Sequence, residues 1–344
     1  LAIWYNRALG SAIVDASRSN AAVFDDQGVY MVTLADIALA RYRLAAHLKE
    51  TPIEHAPGLG EQVWLKLENT NPTHSFKIRG ALNAVLALEP AALQRGLIAA
   101  SSGNHAQALA YAARIVGAKA TILMPIHTPQ RKIAGVQRAG GEAVLFGDNY
   151  DQTEAEARRR AHETQLTYVS PYNDRHVVAG AGTIGLEILD QVPNVARVLV
   201  CTGGAGLVAG IATAIKALRP RVEVIAVCAE AAPALYNELY ATQLPQQWDT
   251  LAEALSGEIE VGSLTIGLAQ NYVDRCVLVA EAAINTAIRW MLSEQGWLIE
   301  GGGAVAVAAL LSGAVPTTTT PTVAVVSGAN IDTARLQQVL ATPT

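Results

Sequence analysis

Gly96-Leu-Ile-Ala-Ala-Ser-Ser-Gly-Asn-His-Ala-Gln-Ala-Leu-Ala-Tyr-Ala-Ala-Arg-Ile-Val-Gly-Ala-Lys-Ala-Thr-Ile-Leu-Met124 decides the fold class. It opens on a short apolar run, Gly96 to Ala100, of the kind that a parallel sheet buries on both faces. It closes on a second such run, Ala120 to Met124, ended by Pro125. Asn104 to Val116 lies between them and reads as the helical crossover that parallel neighbours require. The alternation continues with a helix from Pro129 to Ala139, a strand from Glu142 to Phe146, a helix from Asp151 to Thr164 and a strand from Leu166 to Val169. This pattern predicts a compact parallel α/β unit over residues 96–173.

The flanking sequence supplies a second, larger unit. Upstream, Thr33 with Asp36 three residues on marks a helix start, a relative of the capping box. Val63 to Leu67 reads as a strand, Glu68 to Thr73 as a polar turn, and Ser75 to Leu88 as a helix. Downstream, helices are predicted over Thr183–Leu189, Gly206–Leu218, Glu281–Gln295 and Ala304–Leu311. Strands are predicted over Arg197–Cys201, Val222–Cys228, Cys276–Ala280 and Val323–Ser327, with a Pro/Thr-rich surface loop from Gly313 to Thr322. The organisation expected is an N-terminal extension over 1–31, a large domain made of 32–95 and 174–344, and the small domain 96–173 inserted in it. In the extension, Ile3, Trp4, Leu9, Ile13 and Val14 line one prospective helix face, suited to packing on the surface or to an oligomer contact. Only twelve residues follow Asp332, so no regulatory domain is expected there.

Composition narrows the class. The 344 residues carry 25 Lys+Arg against 30 Asp+Glu, a net charge of −5, which argues against nucleic-acid binding. Apolar residues make up 51% and charged ones 16%, enough for a large buried core. Cys201, Cys228 and Cys276 are odd in number and widely spaced, forming neither a disulfide framework nor a zinc pattern, which suits the cytoplasm. No apolar run reaches the roughly 18 residues of a membrane span, and Asn6 and Arg7 interrupt any signal-peptide reading.

Four motifs carry chemistry. Lys77, in Asn71-Pro-Thr-His-Ser-Phe-Lys-Ile-Arg-Gly80, stands at a turn-to-helix junction. The positive end of a helix dipole lowers the affinity of an amine for its proton, as a Schiff-base lysine requires. Taken alone it reads as an ordinary exposed lysine after a turn. Ser101-Ser-Gly-Asn-His105 places hydroxyls and free N–H groups at a helix start, suited to a carboxylate or phosphate, or to a cap without a ligand. Thr202-Gly-Gly-Ala-Gly-Leu207 offers a phosphate a glycine-rich turn. Gly204 to Ala209 also fits the dinucleotide pattern G-x-G-x-x-A, with Glu230 ending the next strand, so a nicotinamide oxidoreductase is the competing class. Ser327-Gly-Ala-Asn330 follows the last strand, at the carboxyl end where parallel sheets bind ligands.

In this order, with Pro171-Tyr-Asn-Asp174 and Ala179-Gly-Ala-Gly-Thr183, the motifs resemble the fold-type II pyridoxal-phosphate enzymes, specifically the threonine/serine dehydratase and serine racemase group, from about Val32 to Asp332. The resemblance implies a tryptophan synthase β-like fold: two three-layer α/β/α domains with mainly parallel sheets. It implies that Lys77 holds the cofactor covalently and then takes the substrate α-proton. Phe76 would lie against the pyridine ring, Asn104 would bond its 3-hydroxyl, and Ser327 would meet its nitrogen. Gly203, Gly204, Ala205, Gly206 and Leu207 would cradle the phosphate, and Glu300 would stand near the cofactor. Ser101, Ser102, Gly103, His105 and His74 would surround the amino-acid substrate, with Ser102 a proton carrier opposite Lys77. A serine at the ring nitrogen shares a hydrogen bond, whereas a carboxylate would hold the nitrogen protonated. That weaker electron sink suits prompt loss of a β-hydroxyl.

The implied activity is β-elimination from a threonine- or serine-type substrate to a 2-oxo acid and ammonia, by a cytoplasmic homodimer. The alternatives on the same scaffold are serine racemase or a dehydratase for phenylserine or 3-hydroxyaspartate. Several positions depart from the group. His74 and Ala205 stand where it has glycine, Ala181 replaces a common glutamine, and Tyr236 replaces the second acid of a cation site that would include Glu230 and the Ala234 carbonyl. No metal is therefore expected.

Overall fold

The structure, a computed structural model, describes residues 31–317 and 319–341. The extension's prospective helix face, Ile3 to Val14, lies outside the described residues. The described strands are β1 (Ile53–His55), β2 (Val63–Leu67), β3 (Leu97–Ala100), β4 (Ala120–Met124), β5 (Glu142–Leu145), β6 (Thr167–Tyr168), β7 (Arg197–Cys201), β8 (Glu223–Ala229), β9 (Arg275–Val279) and β10 (Thr322–Val326). They form two sheets, ordered β1-β2-β10-β7-β8-β9 and β5-β4-β3-β6. All ladders are parallel except β1 with β2, a short antiparallel edge that the sequence reading lacks. Helices cover the sheets, so the central strands are apolar throughout: every residue of β3 and β10 is buried.

Thr33 caps the helix Leu34–Leu44 with a complete capping box, its hydroxyl accepting from the Asp36 N–H while the Asp36 carboxylate accepts from the Thr33 N–H. Two helices start earlier than the sequence suggests. The helix expected from Thr183 runs over Arg175–Gln191, capped by the Asp174 carboxylate, which accepts from the His176 and Val177 N–H groups at 2.7 and 3.0 Å. Its first half is rich in glycine and alanine, which suppresses the helix signal. Those small residues serve contact: a Cβ on Gly180 would stand 2.5 Å from the Arg79 carbonyl, and one on Gly210 would strike the Val178 carbonyl. The helix expected from Ala304 likewise begins at Gly301. The helices Pro90–Arg95, Ala234–Tyr240, Leu264–Tyr272 and Thr333–Ala341 were not anticipated at all.

The helix Lys77–Leu86 packs against both Asn104–Val116, beside the small sheet, and Arg175–Gln191, beside the large one. A buried set of charges seats it. Arg79, two residues after Lys77, donates to Glu68 (Nε to Oε2 2.7 Å, Nη2 to Oε1 2.8 Å) and to Glu187 (Nη1 to Oε1 2.5 Å). Lys66, on β2, donates to Glu187 at 2.6 Å and to the Thr51 carbonyl at 2.8 Å. Burial opposes ionisation of Glu187, but Arg79 and Lys66 outweigh it and hold its carboxyl below the usual range. Two cations and two anions thus balance where neither sign would be tolerated alone. No helix among the described residues is long and apolar enough to cross a membrane.

Candidate active site

The motif loops follow the carboxyl ends of strands in parallel ladders, β3 in the small sheet and β7 and β10 in the large one, and Asn104 meets Glu300 across the two. Ala100 ends β3, Cys201 ends β7 and Val326 ends β10, each directly before a motif. The lysine loop is laced to the last of these through its main chain. The Phe76 N–H donates to the Ser327 carbonyl at 2.9 Å, the Ala329 N–H to the His74 carbonyl at 2.9 Å, and Ser75 bridges Gly328.

Lys77 is the first residue of its helix, as expected. Its Nζ donates to the Pro171 carbonyl at 2.8 Å and lies 5.0 Å from the centre of the Phe76 ring. Among the described residues no carboxylate forms an ion pair with it. Burial lowers the amine to about 8, against a partial opposing effect of Cys201 and Glu300. The direction is the one expected from the helix dipole, but burial is the larger cause.

The glycine-rich turn opens the helix Gly206–Leu218 with no side-chain cap, leaving first-turn N–H groups for an anion. A Cβ on Gly203 would stand 2.6 Å from the Leu255 carbonyl, and one on Gly204 2.6 Å from the Tyr172 ring. Thr265 Oγ1 donates to the Gly204 carbonyl at 2.9 Å and fixes the turn from outside. Ala205, buried, has φ 63°, and exposed His74 has φ 55°. Both departures from glycine therefore fall on left-handed backbone, so their cost is conformational. Ala205→Gly should stabilise the protein by about 0.5–1 kcal/mol, the relief of left-handed strain less the entropy of the freer unfolded chain. Ala205→Val should destabilise it, and equal melting temperatures for Gly, Ala and Val at 205 would show that the turn carries no strain.

Gly103 is the N-cap of the helix Asn104–Val116, with open space where a Cβ would stand. Its N–H donates to Ser101 Oγ at 3.3 Å, and Ser102 is half-buried beside it. His105 is buried next to Asn104 in the first turn. Its Nε2 meets the Val169 carbonyl at 2.9 Å and so carries the proton, while Nδ1 is buried without a partner among the described residues. Burial, with the Lys77 charge, pushes the ring down to about 3, so it is neutral and Nδ1 only accepts. The imidazole cannot donate to a carboxylate; what position 105 offers is its first-turn N–H.

Ser327 is buried directly after β10, near the Cys201 thiol, which burial pushes up to about 12. Glu300, also buried, accepts from Asn104 Nδ2 at 2.6 Å and from the Asn330 N–H at 3.1 Å, and burial raises its carboxyl to about 7. Leu207 is buried in the first turn after the glycines. Among the described residues no three His, Cys, Asp or Glu gather as a metal site, and Tyr236 packs on Tyr240 with ring centres 4.6 Å apart. The sequence reading missed the contacts of Pro171, Tyr172, Cys201 and Asn330. The motifs containing Pro171, Tyr172 and Asn330 were visible, but their partners lie elsewhere in the chain. Cys201 carried no signal beyond ending a strand.

Comparison with known proteins agrees with this geometry. Residues 44–328 match the family described as pyridoxal-phosphate dependent enzymes. The chain is 38% identical over 316 residues to an L-threonine ammonia-lyase of Thermotoga maritima, covering 90% of this chain and 78% of that one. Among solved structures it is similar to the processed form of threonine deaminase isoform 2 from Solanum lycopersicum (TM-score 0.82, 33% identity, 89% of this chain and 86% of that one). It is also similar to maize serine racemase (TM-score 0.84, 28% identity, 90% and 97%).

Proposed function

Because the chain belongs to the pyridoxal-phosphate-dependent enzymes, we propose that it is an ammonia-lyase that removes the β-hydroxyl and the amino group of L-threonine or L-serine, releasing a 2-oxo acid and ammonia. The observation that carries the reading is Lys77, a half-buried lysine whose amine is lowered to about 8 and has no carboxylate partner among the described residues. The family match sets aside the dinucleotide reading of Gly204 to Ala209.

The site fits the cofactor. The uncapped glycine turn suits its phosphate, and Ser75 Oγ, wholly buried, has no partner among the described residues. Bound there, pyridoxal phosphate supplies a sink for the electron pair left when the α-proton departs. Lys77 anchors it and takes that proton, a role that a lowered amine pKa favours. Asn104 and Ser327 would orient the ring, and Phe76 would pack against it. Gly203 to Leu207 hold the phosphate. Ser101, Ser102 and the N–H groups of Gly103 to His105 bind the substrate carboxylate, with Ser102 placed to carry a proton and His74 at the rim. We place the enzyme in the cytoplasm, a reading supported by three buried free cysteines, and expect a homodimer, which light scattering tests.

Capture of the cofactor by cofactor-free enzyme should quicken as pH rises through about 8, because only the neutral amine attacks. A capture rate independent of pH between about 6.5 and 9.5 would contradict this. The activity itself is tested on a panel of L-threonine, L-serine, phenylserine and 3-hydroxyaspartate, reading 2-oxo acid and ammonia. The similarity to maize serine racemase favours a second reading, racemisation of serine at the same site. D-serine formed from L-serine without 2-oxo acid from any substrate would replace the first reading by the second.

A further inference from the structure

Asn330 closes a ring of polar contacts through the site. Its Nδ2 donates to the Thr73 carbonyl at 2.9 Å and to Asn104 Oδ1 at 2.7 Å. Asn104 Nδ2 donates to Glu300 Oε1 at 2.6 Å, and Glu300 Oε2 accepts from the Asn330 N–H at 3.1 Å. The polarity of this ring follows from one atom. A main-chain carbonyl only accepts, so Asn330 must turn its NH₂ toward Thr73. That same NH₂ reaches Asn104, which must therefore present its oxygen to Asn330 and its NH₂ to Glu300. Both hydrogens of Asn330 are then used, whereas Asn104 keeps one N–H to spare.

We propose that Asn330 is a positioning residue that locks the Asn104 amide so that its spare N–H, and not its oxygen, faces the 3-oxygen of the cofactor. This rests on the reading above that Asn104 meets that oxygen. The lock matters because an unanchored amide presents its oxygen as readily as its nitrogen, and an oxygen there would repel the ionised 3-oxygen. A donor stabilises the ionised form and thereby sets the balance between the long- and short-wavelength absorption bands of the resting, lysine-bound cofactor.

The test is the band ratio of the resting holoenzyme, recorded without substrate. Asn104→Ala should shift the ratio toward the short-wavelength band by about tenfold, the scale of one lost hydrogen bond to a charged group. Asn330→Asp places acceptors against the Thr73 carbonyl and Asn104 Oδ1 and should shift the ratio by a similar factor. Asn330→Ala, which frees the amide without reversing it, should shift it less. The double variant Asn104→Ala/Asn330→Asp should shift it no further than Asn104→Ala alone, since Asn330 acts through Asn104. If Asn104→Ala shifts the ratio and both Asn330 variants leave it unchanged, the proposal is overturned while the cofactor assignment stands. If Asn104→Ala leaves it unchanged in cofactor-bound protein, the assignment of Asn104 falls and the proposal falls with it. Folded Asn330 variants that take up no cofactor also count against it, because the role assigned is polarity and not retention.

Discussion

Lys77→Ala should abolish the visible absorption of the bound cofactor and lower turnover by on the order of 10³-fold or more, since one side chain supplies both the covalent anchor and the proton acceptor. The loss should not extend to folding. The Lys77 side chain makes one hydrogen bond to the Pro171 carbonyl and carries a disfavoured buried charge, so its removal should leave the melting temperature unchanged or raise it. A folded Lys77→Ala protein with near-normal turnover would refute the site assignment. One that lost activity only through unfolding would show that Lys77 is structural.

Arg79→Met should have the opposite profile. Met preserves bulk but leaves Glu68 and part of Glu187 as buried carboxylates without their guanidinium partner. Breaking one side of such a buried set costs about 3–5 kcal/mol, a fall in melting temperature on the order of 10 °C. The pH dependence has a definite sign. In the variant the stranded carboxyls gain protons more readily when folded than when unfolded, so the variant is least destabilised at acid pH and increasingly so as pH rises. Chemical denaturation of both proteins at about pH 5 and about pH 8 measures the difference. A deficit below about 1 kcal/mol, or one larger at acid pH, would mean that the cluster relaxes by admitting water.

Much of the site was legible because its motifs are local. Lys77, the serines at 101 and 102, the glycine turn and Ser327 are each placed by the segment in which they stand. The sheets were legible for the same reason, since strands buried on both faces are unbroken apolar runs. What stayed hidden depends on distant partners. The start of the helix Arg175–Gln191 is hidden by residues chosen for closeness to Arg79 and to the helix carrying Gly210, not for helix propensity. The tautomer of His105 is set by Val169, distant in the chain, and the left-handed backbone at His74 and Ala205 showed only as departures from glycine. Asn330 was visible as part of a motif, yet its work is done on Thr73 and Asn104, far away in the chain.

The lacing of the lysine loop to the serine loop uses backbone atoms, from Phe76 to Ser327 and from Ala329 to His74, with Ser75 against Gly328. Side chains at 74, 327 and 329 can therefore be exchanged without moving the lysine loop relative to the backbone at 327. Selection has in this arrangement a fixed chassis with interchangeable fittings: the hydroxyl at 327 and the imidazole at 74 can drift toward new substrates or new reaction outcomes, while the spacing between the lysine loop and the serine loop is inherited through the peptide groups. For an engineer the same separation marks 74, 327 and 329 as the places to diversify, and Gly328, whose added Cβ would strike Glu300, as the one to leave alone.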